Sequence, residues 1–345
     1  MMNHSADEPS DRRPFPDIVA LGESMLTIRP HPNRAAFEWE VSGAESNVAR
    51  YSAALGMQAA WVSQLGTDLA GDLVLSTIES AGVDVSGVRR LSDRQTGLML
   101  KEVTADERRV RYYRAGSAAA AMGPTTRPEL SQRPRVLHLT GITLGLSNSC
   151  NKLVRSLIGD PSRSALVSFD INWRPSIWER GDPPKALREA ANRCDIVFVG
   201  LDEADDLWGA TTAADVRTLL PRPKTVVVKD ADNGAYADRR GRTHFVPALN
   251  GTVVEPIGAG DAFAAGFIVG VLRYDDNIEA ALRLGHITAM SALSQHSDVG
   301  PIADDATIER LLDLSPEDWL SANLVLADTT NSTQQPPGLP PNTTT

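Results

Sequence analysis

Cysteine is scarce in this chain: Cys150 and Cys194 are the only two among 345 residues. Without a CxxC spacing they offer neither a disulfide framework nor a thiolate metal site, and a reducing, cytoplasmic setting is the expectation. The six histidines form no HExxH or related pattern, which argues against a zinc hydrolase. No run of Lys and Arg offsets a formal net charge of -10, so nucleic acid and anionic membranes are not expected partners. No stretch approaches 18 unbroken apolar residues, and residues 1–16 lack the apolar centre of a signal peptide. Nor is there an internal repeat, or a flexible linker dividing residues 17–314.

What is present is enough apolar material for a sizeable core, 42% of residues, arranged in alternating strand-like and helix-like stretches. Asp17–Gly22 reads as a buried first strand with Glu23 at its mouth. Ser42–Gly56 reads as a glycine-led helix, Gln58–Leu65 as a strand, and Asp68–Ala81 as a helix stopped by Gly82. The rhythm continues through strands at Val136–Gly141, Leu166–Asn172, Asp195–Val199 and Thr225–Lys229. It predicts an α/β fold, a doubly wound, mostly parallel sheet flanked by helices. Two segments break the rhythm. Residues 24–41 lack a helical period and fit short strands outside the main sheet, and Thr96–Thr104 with Arg109–Arg114 flank a hairpin turn at Ala105-Asp106-Glu107-Arg108, which is either an ordinary decoration or a lid over a site. Residues 17–314 are read as one domain, and 1–16 and 326–345 as disordered tails, the latter rich in Thr, Asn, Gln and Pro.

The most informative stretch is Val253–Phe267. A β-branched run enters it, Gly258 and Gly260 turn the chain, and an Ala/Phe-rich helix leaves it, giving strand, Gly-turn, helix. Such a helix start presents bare amides and a positive dipole end, which suits a phosphate. Asp261 there fits either a plain N-cap or a catalytic carboxylate, and the two preceding glycines favour the second. The carboxyl ends of parallel strands gather ligands, which places Asp170, Asn172 and Arg174 at the productive edge, the alternative being a helix-capping Asp with a surface Arg. The basic and aromatic run ending in Tyr112-Tyr113-Arg114 reads either as a solvated edge or as the place where an anionic substrate is met.

These motifs resemble the ribokinase/PfkB family of small-molecule kinases, over about Asp17 to Leu312. Gly258-Ala259-Gly260-Asp261 with Gly266 is similar to its C-terminal signature, and Ser42-Gly43 through Asn47 with Gly56 to its N-terminal one. Gly22-Glu23, Thr96-Gly97, Tyr112-Tyr113-Arg114, Asp170–Arg174 and the Lys229 strand look most like the 2-keto-3-deoxygluconate kinases. The resemblance implies a small β lid formed by about residues 24–41 and 94–115, and ATP-dependent phosphorylation of a sugar or sugar-acid hydroxyl. Asp261 would be the base, and Gly258, Ala259 and Gly260 the phosphate anion hole. Substrate would meet Gly43, Asn47, Tyr112, Arg114, Asp170 and Arg174, and the nucleotide Lys229 and Gly234. Mg2+ would be held mainly by ATP oxygens and water, with Glu203 acting through water; a monovalent-cation requirement stays open. Leu98 and Leu100 on the lid suggest a homodimer. Alternatives are a kinase for a neutral sugar or nucleoside, and a non-catalytic sensor on the same fold. The chain departs from the family pattern at Ser42, Gly200, Ala231 and Glu255, and from the subgroup at Met99, where a substrate-contacting Tyr is usual.

Overall fold

β1 (Ile18–Leu21) is buried at every residue, as a central strand covered on both faces must be. The computed structural model describes residues 15–30, 36–103, 108–126, 133–178, 181–275 and 277–326. The tails up to residue 14 and from 327, and the hairpin turn at Ala105-Asp106-Glu107, lie outside them.

After β1 the chain leaves the main sheet for β2 (Met25–Pro30) and β3 (Phe37–Ser42), then returns through α1 (Ala44–Ala54), β4 (Ala59–Gly66), α2 (Leu69–Ser80) and β5 (Val88–Leu91). Asp68 caps α2 by accepting from the Gly71 amide at 2.8 Å, which satisfies one of the unpaired donors of a helix start. A second excursion makes β6 (Leu98–Val103) and β7 (Arg108–Tyr113). The remaining elements are β8 (Val136–Thr140), α3 (Gly141–Leu146), α4 (Asn148–Ile158), β9 (Leu166–Asp170), α5 (Pro183–Ala191), β10 (Ile196–Gly200), α6 (Leu201–Trp208), α7 (Ala213–Leu219), β11 (Thr225–Asp230), β12 (Gly234–Arg239), β13 (Arg242–Pro247), α8 (Ala259–Tyr274), α9 (Ile278–Leu293), α10 (Asp305–Leu312) and α11 (Pro316–Ser321).

The main sheet has nine strands in the order β13-β12-β11-β10-β9-β8-β1-β4-β5. Its pairings are parallel except β11–β12 and β12–β13. A separate four-stranded sheet, β3-β2-β6-β7, is built from the two segments that lacked the α/β rhythm. On one face of the main sheet, Ile18, Val136, Phe198 and Val227 pack with Tyr51 of α1, Phe267 of α8 and Leu284 of α9. On the other, Val19, Leu139, Phe169 and Val199 pack with Leu153 of α4 and Leu187 of α5. Alternate residues of each buried strand therefore serve opposite cores.

Two expectations need correction. The packed chain extends past Leu314, because Trp319 of α11 is buried against the α8–α9 core and donates to the Pro247 carbonyl at 3.0 Å. Val253-Val254 is not in a strand. The amides of Val254 and Glu255 instead donate to the Leu293 carbonyl at the end of α9, at 2.7 and 3.3 Å.

Candidate active site

Five neighbouring parallel strands, β1, β8, β9, β10 and β11, end on the same edge of the sheet. Their exits deliver Glu23, Thr140, Asn172, Gly200 and Lys229 to one region, which the α8 N-terminus closes from the side. The cleft so formed has a volume of about 930 Å³. Lid residues Met25, Met99, Tyr112 and Arg114 line its roof.

Asp261 is positioned from two directions. Its Oδ2 accepts from Asn47 Nδ2 at 3.0 Å and its Oδ1 from Asn172 Nδ2 at 3.2 Å. Asn47 comes from the first turn of α1, whereas Asn172 follows β9 with a left-handed backbone, φ 40°, a conformation Asn tolerates better than most residues. Burial pushes the Asp261 carboxyl up to about 6; the Asn47 hydrogen bond opposes that, the Asp170 charge adds to it, and Lys229 and Arg174 oppose it. A carboxylate with one oxygen held by each amide cannot rotate freely, so its remaining lone pairs have a defined direction.

The turn before Asp261 is shaped by Gly258, which caps α8 with φ 83°. A Cβ there would stand 2.6 Å from the Asp298 carbonyl oxygen, so both the backbone angle and the space require glycine. The first helical amides, those of Ala259, Gly260 and Asp261, lack acceptors within the helix. Ala259 makes a long 3.4 Å bond to the Pro256 carbonyl, which leaves Gly260 and Asp261 as the better anion donors.

Lys229 reaches this helix start from β11. Its ammonium lies 2.8 Å from Asp170 Oδ2 and 3.2 Å from the position a Cβ on Gly260 would take. Burial works against the charged form, but Asp170 and Glu203 outweigh it, so the lysine pKa is raised and the ammonium persists. This corrects one expectation. Asp170, 2% exposed, stands behind the cleft wall as the partner of Lys229 instead of lining the substrate space. Lys229, expected to meet the nucleotide, sits beside the α8 start, where phosphate charge would arrive.

Glu203 accepts from the Trp173 amide at 2.8 Å with one oxygen and from the Gly200 amide at 2.9 Å with the other. It ties the β9 exit to the α6 start, and Gly200 contributes through its amide alone. Its pKa is raised by burial, with Lys229 opposing. Glu203 lines the cleft with both oxygens already accepting amides, which fits a water-mediated contact to a hard cation better than direct ligation. Among the described residues no cluster of three or more His, Cys, Asp or Glu side chains could hold a metal ion by itself.

The two arginines differ. Arg114 is ion-paired with Glu23, whose other oxygen accepts from Ser117 Oγ at 2.5 Å. Its guanidinium lies over the Tyr112 ring, 5.5 Å from the centroid. Arg174 donates to its neighbour's carbonyl, Trp173 O, at 2.8 Å. Its nearest carboxylate is Glu203 at 3.9 Å, and about half of its side chain is exposed. Of the two, Arg174 retains charge for a ligand. Gly43 opens α1 tightly against the segment between β1 and β2, since a Cβ there would meet Ser24 Oγ at 2.4 Å, and it lines the cleft together with Asn47. Gly234 lines the far side, near Ala289, Met290 and Leu293 of α9.

The arrangement pairs a fixed carboxylate and a helix-start anion site with two cations, beneath a separate sheet. Residues 17–305 match the model of the pfkB family of carbohydrate kinases. The chain belongs to that family. The 2-dehydro-3-deoxygluconokinase of Bacillus subtilis (strain 168) is 32% identical over 285 residues, covering 78% of this chain and 88% of that protein. A PfkB protein from Polaromonas sp. JS666 is similar in structure, with TM-score 0.73 and 32% identity over 82% of this chain and 98% of that one. The fructokinase of Vibrio cholerae O395, solved with fructose, ADP and calcium, shares the fold at 20% identity, TM-score 0.77, covering 86% and 98%. As a pfkB carbohydrate kinase, this protein is a phosphotransferase acting on a sugar hydroxyl, on a ribokinase-like fold.

Some of the site escaped sequence reasoning. Glu45 is buried under the α1 start, where Thr140 and Thr143 hydroxyls donate to its Oε1 at 2.7 and 2.5 Å. Burial pushes it up to about 7, and the Asp261 charge adds to the rise. A Glu in the first turn of a helix carries no signal beyond an ordinary dipole interaction, so only the tertiary structure reveals it. Leu98 and Leu100 are half-buried, and among the described residues the exposed large apolar side chains of the lid include Phe37, Trp39, Val110, Tyr112 and Tyr113. No helix among the described residues is long and apolar enough to cross a membrane.

Proposed function

We propose that the protein phosphorylates a keto-deoxy sugar acid with ATP, 2-keto-3-deoxygluconate being the acceptor that fits best and its 6-phosphate the product. The observation that carries the reading is Asp261, held by Asn47 and Asn172 beside the α8 N-terminus with Lys229 next to it. The acceptor hydroxyl gives its proton to Asp261 as its oxygen bonds to the γ-phosphorus, and the bond from that phosphorus to the β,γ-bridging oxygen breaks, releasing ADP. Positioning and charge stabilisation supply most of the rate in such transfers. The amides of Gly258, Gly260 and Asp261, with a weaker contribution from Ala259, stabilise the oxygens of the migrating group, and Lys229 offsets their charge. Glu203 would hold Mg2+ through water while nucleotide oxygens supply most of its ligands, and the ion would add neutralisation of the phosphate charge.

Gly43 and Asn47 face the acceptor's hydroxyls, Tyr112 adds a phenol, and Arg174 pairs with its carboxylate, for which a planar guanidinium is suited. Gly234 borders the nucleotide. The identity to a 2-dehydro-3-deoxygluconokinase supports the same class. A second reading, a neutral sugar such as fructose, is favoured by two observations: Glu23 already neutralises Arg114, and Met99 brings a thioether to the roof. ADP release measured with 2-keto-3-deoxygluconate, fructose, ribose and adenosine decides between them. The acid reading expects the first to exceed the others in kcat/KM by at least an order of magnitude, and a preference for fructose overturns it. Lid-to-lid pairing through Phe37, Trp39, Val110 and Tyr113 would give a cytoplasmic homodimer; a monomeric mass by light scattering refutes that part.

A further inference from the structure

Lys101 takes no part in the site as described, yet it is a lysine only 7% exposed. It lies on β6 of the lid, and its ammonium is 2.7 Å from Glu40 Oε1 on β3 and 3.5 Å from Asp298 Oδ1. Asp298, 4% exposed, belongs to the main body, in the loop between α9 and α10. Burial disfavours the charged lysine, but Asp298 and Glu40 outweigh it and Glu255 adds to the field, so the ammonium is retained. Arg50 of α1 is a second buried cation in the field of the same two acids.

Asp298 is also the residue whose backbone abuts the catalytic turn. Its carbonyl oxygen stands 2.6 Å from the Cβ position of Gly258 and accepts from Tyr51 Oη at 3.3 Å. A push on Asp298 is therefore transmitted to the N-cap of α8. Glu255, the residue at which this turn departs from the family pattern, enters the same turn three positions earlier. The lid ion pair and the anion hole share one piece of backbone.

We infer that Lys101 is a positioning residue: seated between Glu40 and Asp298, it locks the lid to the loop that braces Gly258 and so holds the α8 amides in the geometry that receives the phosphoryl group. The inference rests on the kinase reading of α8, and its test keeps the two apart. Amide hydrogen exchange of residues 255–262, followed by mass spectrometry in the wild type and in Lys101→Met, reads the brace without any turnover. The expected result is exchange at least about tenfold faster in the variant, the mark of a segment released from its packing. Turnover on the acceptor that the wild type prefers should fall about 10- to 100-fold in kcat, with KM for ATP and acceptor changed far less, since an interaction expressed in the transition state is lost. Lys101→Arg should restore most of both, and propylammonium added to Lys101→Ala should recover part of the rate. Asp298→Asn, which keeps the backbone and shape, is the second variant and should also speed exchange. Unchanged exchange at 255–262 in both Lys101→Met and Asp298→Asn overturns the inference, whatever sugar the enzyme accepts. So does wild-type kcat in Lys101→Met.

Discussion

Replacing Asp261 by Asn should stabilise the protein while removing its activity, and the size of the first effect follows from the site. The carboxyl is raised from 3.8 to about 6 in the folded protein, so the folded state binds this proton more tightly than the unfolded chain does. Its stabilising contribution is complete below the unfolded pKa and is lost as pH rises through about 6; at pH 8 the ionised group is a net cost. Two units correspond to at most about 3 kcal/mol, and partial contact with the cleft lowers this to roughly 1–3 kcal/mol. An amide has the same shape and carries none of that cost. It also finds partners: Oδ1 of Asn47 and Oδ1 of Asn172 both lack a hydrogen bond, so either side chain can flip and accept from the new NH2 group.

An unfolding entropy of about 0.7 kcal/mol/K for 345 residues converts the gain to roughly 1–4 °C in Tm. Calorimetry at pH 8, 6 and 4 should find the full increment at pH 8, most of it at 6 and only about a fifth at 4. Turnover, followed by coupled ADP release, should fall about 100- to 10,000-fold, the usual range for loss of a general base. In the wild type, the rate should decline as pH drops below about 6, and this limb should vanish in the variant's residual activity. An increment in Tm that is equal at pH 4 and pH 8 would refute the burial argument, and near wild-type turnover would refute the assignment of the base.

Arg174→Ala should raise KM for an acidic acceptor at least about tenfold while leaving KM for ATP nearly unchanged, as loss of a charge-assisted pair does; equal effects on acidic and neutral sugars would assign Arg174 a structural role. Gly258→Ala forces a Cβ against the Asp298 carbonyl at φ 83°. It should cost about 1–3 kcal/mol in a urea titration and lower kcat more than it raises either KM. Lys229→Met leaves the carboxylate of Asp170 buried without its partner and should destabilise the fold by about 3–5 kcal/mol. Adding Asp170→Asn should recover part of that loss in the same titration without recovering activity.

What sequence reasoning reached and what it missed divide along the range of the interactions involved. The alternation of strands and helices, the glycine-led start of α8 and the separate lid are set by neighbours within a turn or a strand, so periodicity and Gly placement expose them. Val253-Val254 marks the boundary. Its β-branched residues suit a strand, but the amides there donate to the end of α9, and tertiary contacts override propensity. The chemistry of the cleft lies beyond that boundary altogether. Asp261 is aimed by an amide 214 residues earlier in the chain and another 89 residues earlier, and neither Asn announces the contact locally. Asp170 shows the same limit in reverse. A carboxylate at a strand end is expected to meet substrate, but Lys229, arriving on a strand two places away in the sheet, captures it. Capture has a functional consequence. A free Lys229 beside Gly260 would be costly to keep charged once buried, whereas paired with Asp170 it stays cationic before substrate binds. The site can then meet phosphate with its charge already in place and little reorganisation left for the reaction. The buried pair is thus better understood as preorganisation than as stability, which is why its removal should cost activity even where a second substitution repairs the fold.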